Sequence, residues 1–251
     1  TENRFSVERY WELDFLRGLS VVLMILFNWS YALKFLEVYS LFPGSNFVYW
    51  NVFPLFVAGS FMFIAGISLT LSWNRFSERD PSSREKWRKY GLRGLKIFGL
   101  GLGITAVTYL TFPDNFIFFG ILHLLGLSIA VSPFVVSDPR KALAFSGLVL
   151  VLFLLPDLFD PSLVMASLGL SGVPFSTFDF FPLIPWSSVV FLGVAVGHWM
   201  YPGGERGFDI QKREIDVFDR FSGFVEFLGR NSLLIYLLHQ PLLLSVLMLL
   251  G

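Results

Sequence analysis

Charge is scarce in this chain. Asp, Glu, Lys and Arg together make up 15% of its 251 residues, where a soluble domain carries roughly a quarter to clothe its surface. That argues against a soluble globular enzyme. Neither sign is in excess, with 19 basic and 19 acidic residues. No surplus of cations is left to hold a phosphate backbone, so a nucleic-acid binder is excluded too. Cysteine is absent, which removes disulfides, thiolate nucleophiles and cysteine zinc sites. Three histidines and aspartates without ligand spacing give no reason to expect a metal. Long polar low-complexity runs are also missing, so the chain is not disordered.

What is present is apolar. Hydrophobic residues reach 54%, Phe alone contributes 30, and the mean hydropathy is +0.64. A helix needs about 20 mainly apolar residues to cross a bilayer. Seven stretches qualify: 11–36, 47–73, 91–112, 116–136, 140–156, 180–201 and 231–250. The fifth is the shortest. The first is read as a span and not as a cleaved leader, because it is long and further spans follow it. Lys and Arg set the orientation. Alternate connecting segments hold 18 of them on one side and only Lys34 on the other. This predicts a cytoplasmic N-terminus and a multi-pass protein of the cell membrane. The expected fold is all-α: one polytopic membrane helix bundle of about seven transmembrane helices, a single domain over 1–251.

Several local readings follow. Residues 74–90 are charged and expected at the surface. The string YPGGERG from Tyr201 reads as a turn, and 217–229 as an interfacial amphipathic helix. The 157–179 segment, with Asp157, Asp160 and Asp179, is the longest on the outer side. Gly99 with Gly103, and Gly193 with Gly197, stand four apart and are expected to let helices approach closely. The GLGLG run is not a dinucleotide fingerprint, since neither its context nor its spacing fits. No internal repeat is evident, which weakens a transporter reading.

In so apolar a chain, polar groups within the spans invite a function. Asp14 and Arg17 are i,i+3 and can pair. Arg17 and Asn28 share a helix face, roughly 16 Å apart along the axis. That distance is close to the reach of a pantetheine arm. His123 falls in the outer half of the fourth span, as does Asn28 in the first. His239 lies near the midplane of the seventh, beyond Ser232 and Tyr236. An imidazole can take a proton near neutral pH, and an amide can donate to a developing oxyanion. The plain alternative for each is a hydrogen bond between helices. His198, at the inner end of the sixth span, reads as interfacial. Arg17, Arg75, Arg93, Lys96 and Arg230 lie near the inner level and could hold a polyphosphate. Anchoring to anionic lipid accounts for them equally. Asn231 and Ser232 continue this set on the seventh span.

Four stretches are specific in their order: WELDFLRGLSVVLMILFN from Trp11, FPLFVAGSFMFIAGISLTLS from Phe53, RGLKIFGLGLGITAVTYLTFPDNFIFFGILHLLGLS from Arg93, and FPLIPWSSVVFLGVAVGHWMY with LGRNSLLIYLLHQPLL toward the end. In them the chain resembles the catalytic membrane domain of the heparan-α-glucosaminide N-acetyltransferase family, in its short prokaryotic form. The resemblance implies a transmembrane acyltransferase fold that takes acetyl from cytosolic acetyl-CoA. The acceptor would be an amine or hydroxyl, on an amino sugar or other glycan, presented from the opposite side. By position, Asn28 matches the asparagine near the active centre, His239 the histidine of the last span, and Asp14 with Arg17 the first-span pair. The chain departs from the family twice. No histidine occurs in 29–46, where the animal enzymes carry one, and Asn28 stands where many prokaryotic relatives carry His. His123 is the substitute base, so the expected catalytic set is Asn28, His123 and His239. Asp14, Arg17, Arg75, Arg93, Lys96, Arg230, Asn231 and Ser232 would bind the donor. Direct transfer in a ternary complex fits a chain without Cys, and an acetyl-histidine relay stays open. The rival reading is a transporter or lipid-binding membrane protein with no chemistry. The acyl length and the oligomeric state, a homodimer included, are left open.

Overall fold

The structure is a computed structural model that describes residues 10–35, 46–154, 163–169, 177–210, 216–239 and 242. Most of these residues are helical and none lies in a strand, apart from one isolated parallel bridge between Phe119 and Phe180. The helices are α1 (Trp11–Phe35), α2 (Phe53–Ser77), α3 (Ser83–Thr111), α4 (Ile121–Val131), α5 (Pro139–Phe153), α6 (Leu163–Leu168), α7 (Leu183–Met200) and α8 (Asp216–Arg230). A π-turn, Val48–Val52, leads into α2. Residues 232–239 are helical as well. Among the described residues, four helices are long and apolar enough to cross a membrane: α1, α2 with its π-turn, α3 and α7. The chain is a helical membrane protein.

Two expected spans are shorter in the structure, and a third is described only in part. The fourth, 116–136, is helical only from Ile121, because Phe116–Gly120 run extended. The fifth, 140–156, ends as a helix at Phe153, and 155–156 lie outside the described residues. The seventh, 231–250, is described only to 239, with 242 beyond. Conversely, the charged 74–90 stretch is mostly helix. α3 begins eight residues before its apolar run because Ser82 caps it. The Ser82 hydroxyl accepts from the Glu85 N–H at 3.3 Å, and the Glu85 carboxylate accepts from the Ser82 N–H at 2.8 Å. This reciprocal box satisfies two N–H groups that a helix start leaves orphaned. α5 opens similarly, with Asp138 accepting from the Arg140 N–H at 2.8 Å and Pro139 in the first turn.

The chain divides into two compact units, Thr1–Phe61 with Ile210–Gly251, and Met62–Asp209. In the first, α8 packs on α1 through reciprocal glycines. A Cβ at Gly18 would overlap the Val225 carbonyl, and one at Gly229 the Asp14 carbonyl. Such backbone contact is what small residues permit between membrane helices. α8 is amphipathic, as expected. Ser222, Val225 and Glu226 are buried, while Phe221, Phe224 and Phe227 are exposed along one stripe.

In the second unit, Leu69, Trp73, Tyr90, Ile129, Val136, Phe191 and Val194 form the core. Tyr90 is fully buried, and its phenol meets the Ser72 hydroxyl at 3.2 Å. The expectation for Gly193 and Gly197 holds: the first packs against Phe63, the second against Ile67 and Thr70. The expectation for Gly99 and Gly103 does not. Among the described residues, nothing lies within 4 Å of a Cβ at either position. The close-packing glycines of α3 are Gly94, against Gly126 and Ala130, and Gly101, against the His123 ring. Spacing identifies a smooth face and says nothing of whether a helix covers it. The YPGGERG turn is present, with positive φ at Gly203 and Gly204, 65° and 95°, where a side chain would be strained.

Candidate functional site

In the first unit, α1 is unbroken from Trp11 to Phe35, so it carries Asp14, Arg17 and Asn28 on one rigid rod. Two polar groupings form along it. The one nearer its N-terminus centres on Asp14, whose carboxylate accepts from Arg17 at 3.1 Å and from Arg230 Nε at 3.3 Å. Arg230 also donates to Glu226 at 3.2 Å. Both carboxylates are buried, and buried charges require such partners. Glu226 escaped sequence reasoning because a carboxylate on an amphipathic helix reads as part of its wet face. Only the four-residue step to Arg230 hinted at pairing. Asn231 returns its side chain to the Phe227 carbonyl at 2.8 Å, where it caps the end of α8. Ser232 is buried.

Farther along α1, the Asn28 amide lies 2.9 Å from His239 Nε2. The other ring nitrogen, Nδ1, is 2.7 Å from the Tyr236 carbonyl. His239 is 7% exposed. Two positions 211 residues apart thus meet in one partly buried amide–imidazole pair. Beside it sits an aromatic cluster. Phe27 contacts Tyr31, Tyr49, Trp50 and Phe53, the Tyr49 phenol bonds the Ser30 hydroxyl at 2.5 Å, and the Lys34 ammonium lies 4.0 Å from the Trp50 ring centre.

The remaining site candidates belong to the second unit. Arg93 and Lys96 are exposed on α3, and Arg75 is half-buried near the end of α2. His123 is 2% exposed. Its Nδ1 accepts from the Gly120 N–H at 3.1 Å, and Nε2 makes a long 3.5 Å contact with the Thr105 hydroxyl. The ring stacks on Phe119, takes the edge of Phe98 and rests on Gly101. Here the histidine works as a helix cap. It belongs to a wider scheme that satisfies the extended segment before α4. Thr105 donates to the Ile117 carbonyl at 2.7 Å, Thr108 accepts from its N–H at 3.0 Å, and Thr177 donates to the Phe116 carbonyl at 2.7 Å. The Phe181 N–H reaches the Phe119 carbonyl at 2.8 Å, and Asp179 accepts from the Ile121 N–H at 3.2 Å. Backbone within a bilayer requires this accounting, since lipid offers no partner. Asp157 and Asp160 lie outside the described residues. His198 donates Nε2–H to the Val136 carbonyl at 2.8 Å and ties down the end of α7.

The capping role has a measurable consequence. Replacing His123 by Ala leaves a cavity between two aromatic rings and an N–H without its acceptor, at a cost of about 3 kcal/mol. A thermal melt in detergent is expected to fall by several degrees. Any catalytic activity at a permissive temperature is expected to stay within tenfold of the parent, whereas loss of a base would cost far more.

Among the described residues, no group of His, Asp and Glu could hold a metal ion. No curated protein matches the chain. The family model described as heparan-alpha-glucosaminide N-acetyltransferase, catalytic, matches residues 9–241. That match takes in α1, α8 and the Asn28–His239 pair, and with it the chain belongs to the heparan-α-glucosaminide N-acetyltransferase catalytic-domain family.

Proposed function

We propose that this chain moves an acetyl group from cytosolic acetyl-CoA to an amine or hydroxyl on a sugar acceptor arriving from the opposite face of the cell membrane, with its own N-terminus in the cytoplasm. The observation that supports the reading best is the partly buried pair of Asn28 and His239, 2.9 Å apart, within a chain of an acetyltransferase family. His239 is the base. Its Nε2 takes a proton from the acceptor as the acceptor attacks the thioester carbonyl. Asn28 directs an N–H at the oxygen on which negative charge develops, a term worth about 10²–10³-fold in rate. His123 is assigned to positioning, because the N–H on its Nδ1 belongs to the backbone and, unlike a side-chain amide, cannot turn away.

Donor binding is proposed on charge for Arg17 and Arg230 in the first unit, and for Arg75, Arg93 and Lys96 in the second. Asp14, Asn231 and Ser232 support them. The Asp14 and Glu226 bonds do not exclude this role for Arg230. A guanidinium carries five N–H donors, and the bonds described use two of them. Asp14 then holds the two arginines ready at one level of α1. No covalent carrier is needed, and the acetyl passes directly between donor and acceptor.

A ligand that binds only the folded state raises its melting temperature. Acetyl-CoA at about 100 times its Kd is expected to add about 2.7 kcal/mol of stability, while acetate at equal concentration adds nothing. A transporter or lipid-binding protein without chemistry would be indifferent to both.

A further inference from the structure

The bonds around His239 fix more than its position. The Tyr236 carbonyl can only accept, so Nδ1, 2.7 Å away, carries the ring proton. Nε2 of the neutral ring is then a bare lone pair. An amide oxygen set 2.9 Å from it would oppose two lone pairs, so Asn28 must present N–H. In the resting state the base is therefore capped by the very amide that assists it. Once Nε2 takes a proton, the same N–H faces another N–H, and the contact becomes repulsive.

We propose that Asn28 is a proton-linked switch whose amide turns by about 180° when His239 is protonated, exchanging N–H for Oδ1 at Nε2. The inference rests on the acetyl-transfer reading only for the source of the proton. A neutral amine attacks the thioester carbon, and the C–N bond forms while the carbonyl oxygen becomes an oxyanion. Nε2 takes the proton from the attacking nitrogen. Asn28 then accepts from Nε2–H through Oδ1, and both of its amide N–H groups are released toward the oxyanion as the charge appears there. Collapse breaks the C–S bond, and the thiolate leaves with the proton from Nε2. The products are amide and thiol, and His239 and Asn28 return to their starting arrangement. A hydroxyl acceptor follows the same course and gives an ester. Asn28 is in this sense a positioning residue as well: it holds Nε2 unprotonated before the reaction and supports the imidazolium during it.

The chain has three histidines, and the other two adopt the opposite tautomer. His123 accepts at Nδ1 from a backbone N–H, and His198 donates from Nε2 to a carbonyl. Nitrogen-15 NMR of the histidine-labelled chain in lipid nanodiscs, held above the protonation range, is expected to show two rings protonated at Nε2 and one at Nδ1. The Nδ1–H signal should vanish in His239→Gln. In Asn28→Asp the carboxylate has no N–H to offer, and His239 is expected to show both nitrogens protonated. Its kcat should fall about 10²-fold or more, with the donor KM within a few fold. An Nε2–H signal for His239 in the parent chain overturns the switch, and needs no variant to be folded. So does an Asn28→Asp protein whose His239 nitrogens match the parent's. The two readings fail separately. An inactive chain with His239 protonated at Nδ1 removes acetyl transfer and leaves the tautomer. An active chain with His239 protonated at Nε2 does the reverse.

Discussion

Replacing His239 by Ala is expected to lower kcat for acetyl transfer by about 10²–10⁴-fold, the usual range for a lost general base. Asn28→Ala is expected to lose about 10²–10³-fold, and the double variant little more than the worse single one, because the two groups act as a unit. Binding of acetyl-CoA, followed by isothermal titration, should change little in either protein. Asn28, with His239 bonded to it, lies eleven residues along α1 from Arg17, about 16 Å at 1.5 Å per residue. The substitutions therefore separate chemistry from donor capture. Full activity in both variants would end the assignment. Loss of donor binding together with activity would mean that the pair holds α1 to the last helix and does no chemistry.

The second large effect concerns the reciprocal glycines of α1 and α8. A Cβ at Gly229 overlaps the Asp14 carbonyl, and one at Gly18 the Val225 carbonyl. Both obstacles are backbone and cannot rotate away, unlike a flexible side chain. Gly229→Val must push α8 outward, at a cost of about 1–3 kcal/mol for overpacking and occasionally more. The displacement also carries Arg230 off Asp14 and leaves that buried carboxylate short of a partner, which adds to the loss. The expected result is a melting temperature lowered by several degrees. Gly223→Val serves as the control. It lies on the same helix, but nothing among the described residues comes within 4 Å of its Cβ, so its melt should match the parent's within about 0.5 kcal/mol.

Much of the architecture could be read from residue pattern, for physical reasons that also mark where the reading stopped. α1, α2 and α7 begin and end within a few residues of their apolar runs, because hydrocarbon thickness dictates a length that composition reveals. The extended run before α4 is as apolar as a helix, and a short apolar run does not declare its own backbone. Hence 116–120 were expected to be helical. Gly99 and Gly103 fit a packing rule that requires a neighbour, and a neighbour is a tertiary fact. Asn28 and His239 could each be named from their depth and their motifs, but no spacing connects positions 211 apart. The bond between them, and the Tyr236 carbonyl behind it, needed coordinates. His123 drew attention for the same reason as His239, as a rare imidazole in an apolar span. Its Gly120 and Thr105 partners show how such a residue can serve the backbone instead.

The threonines of α3 carry a lesson about tolerance to change. Thr105 and Thr108 act as the edge of a sheet that is otherwise missing, offering hydroxyls where a neighbouring strand would offer amides and carbonyls. Exchanging either for Val keeps the volume and raises the apolarity of the helix. A profile scored on lipid compatibility would therefore rank the change as an improvement. The peptide groups of Ile117 would nevertheless be stranded, so in this protein the substitutions that look gentlest to the bilayer are among the harshest for the main chain.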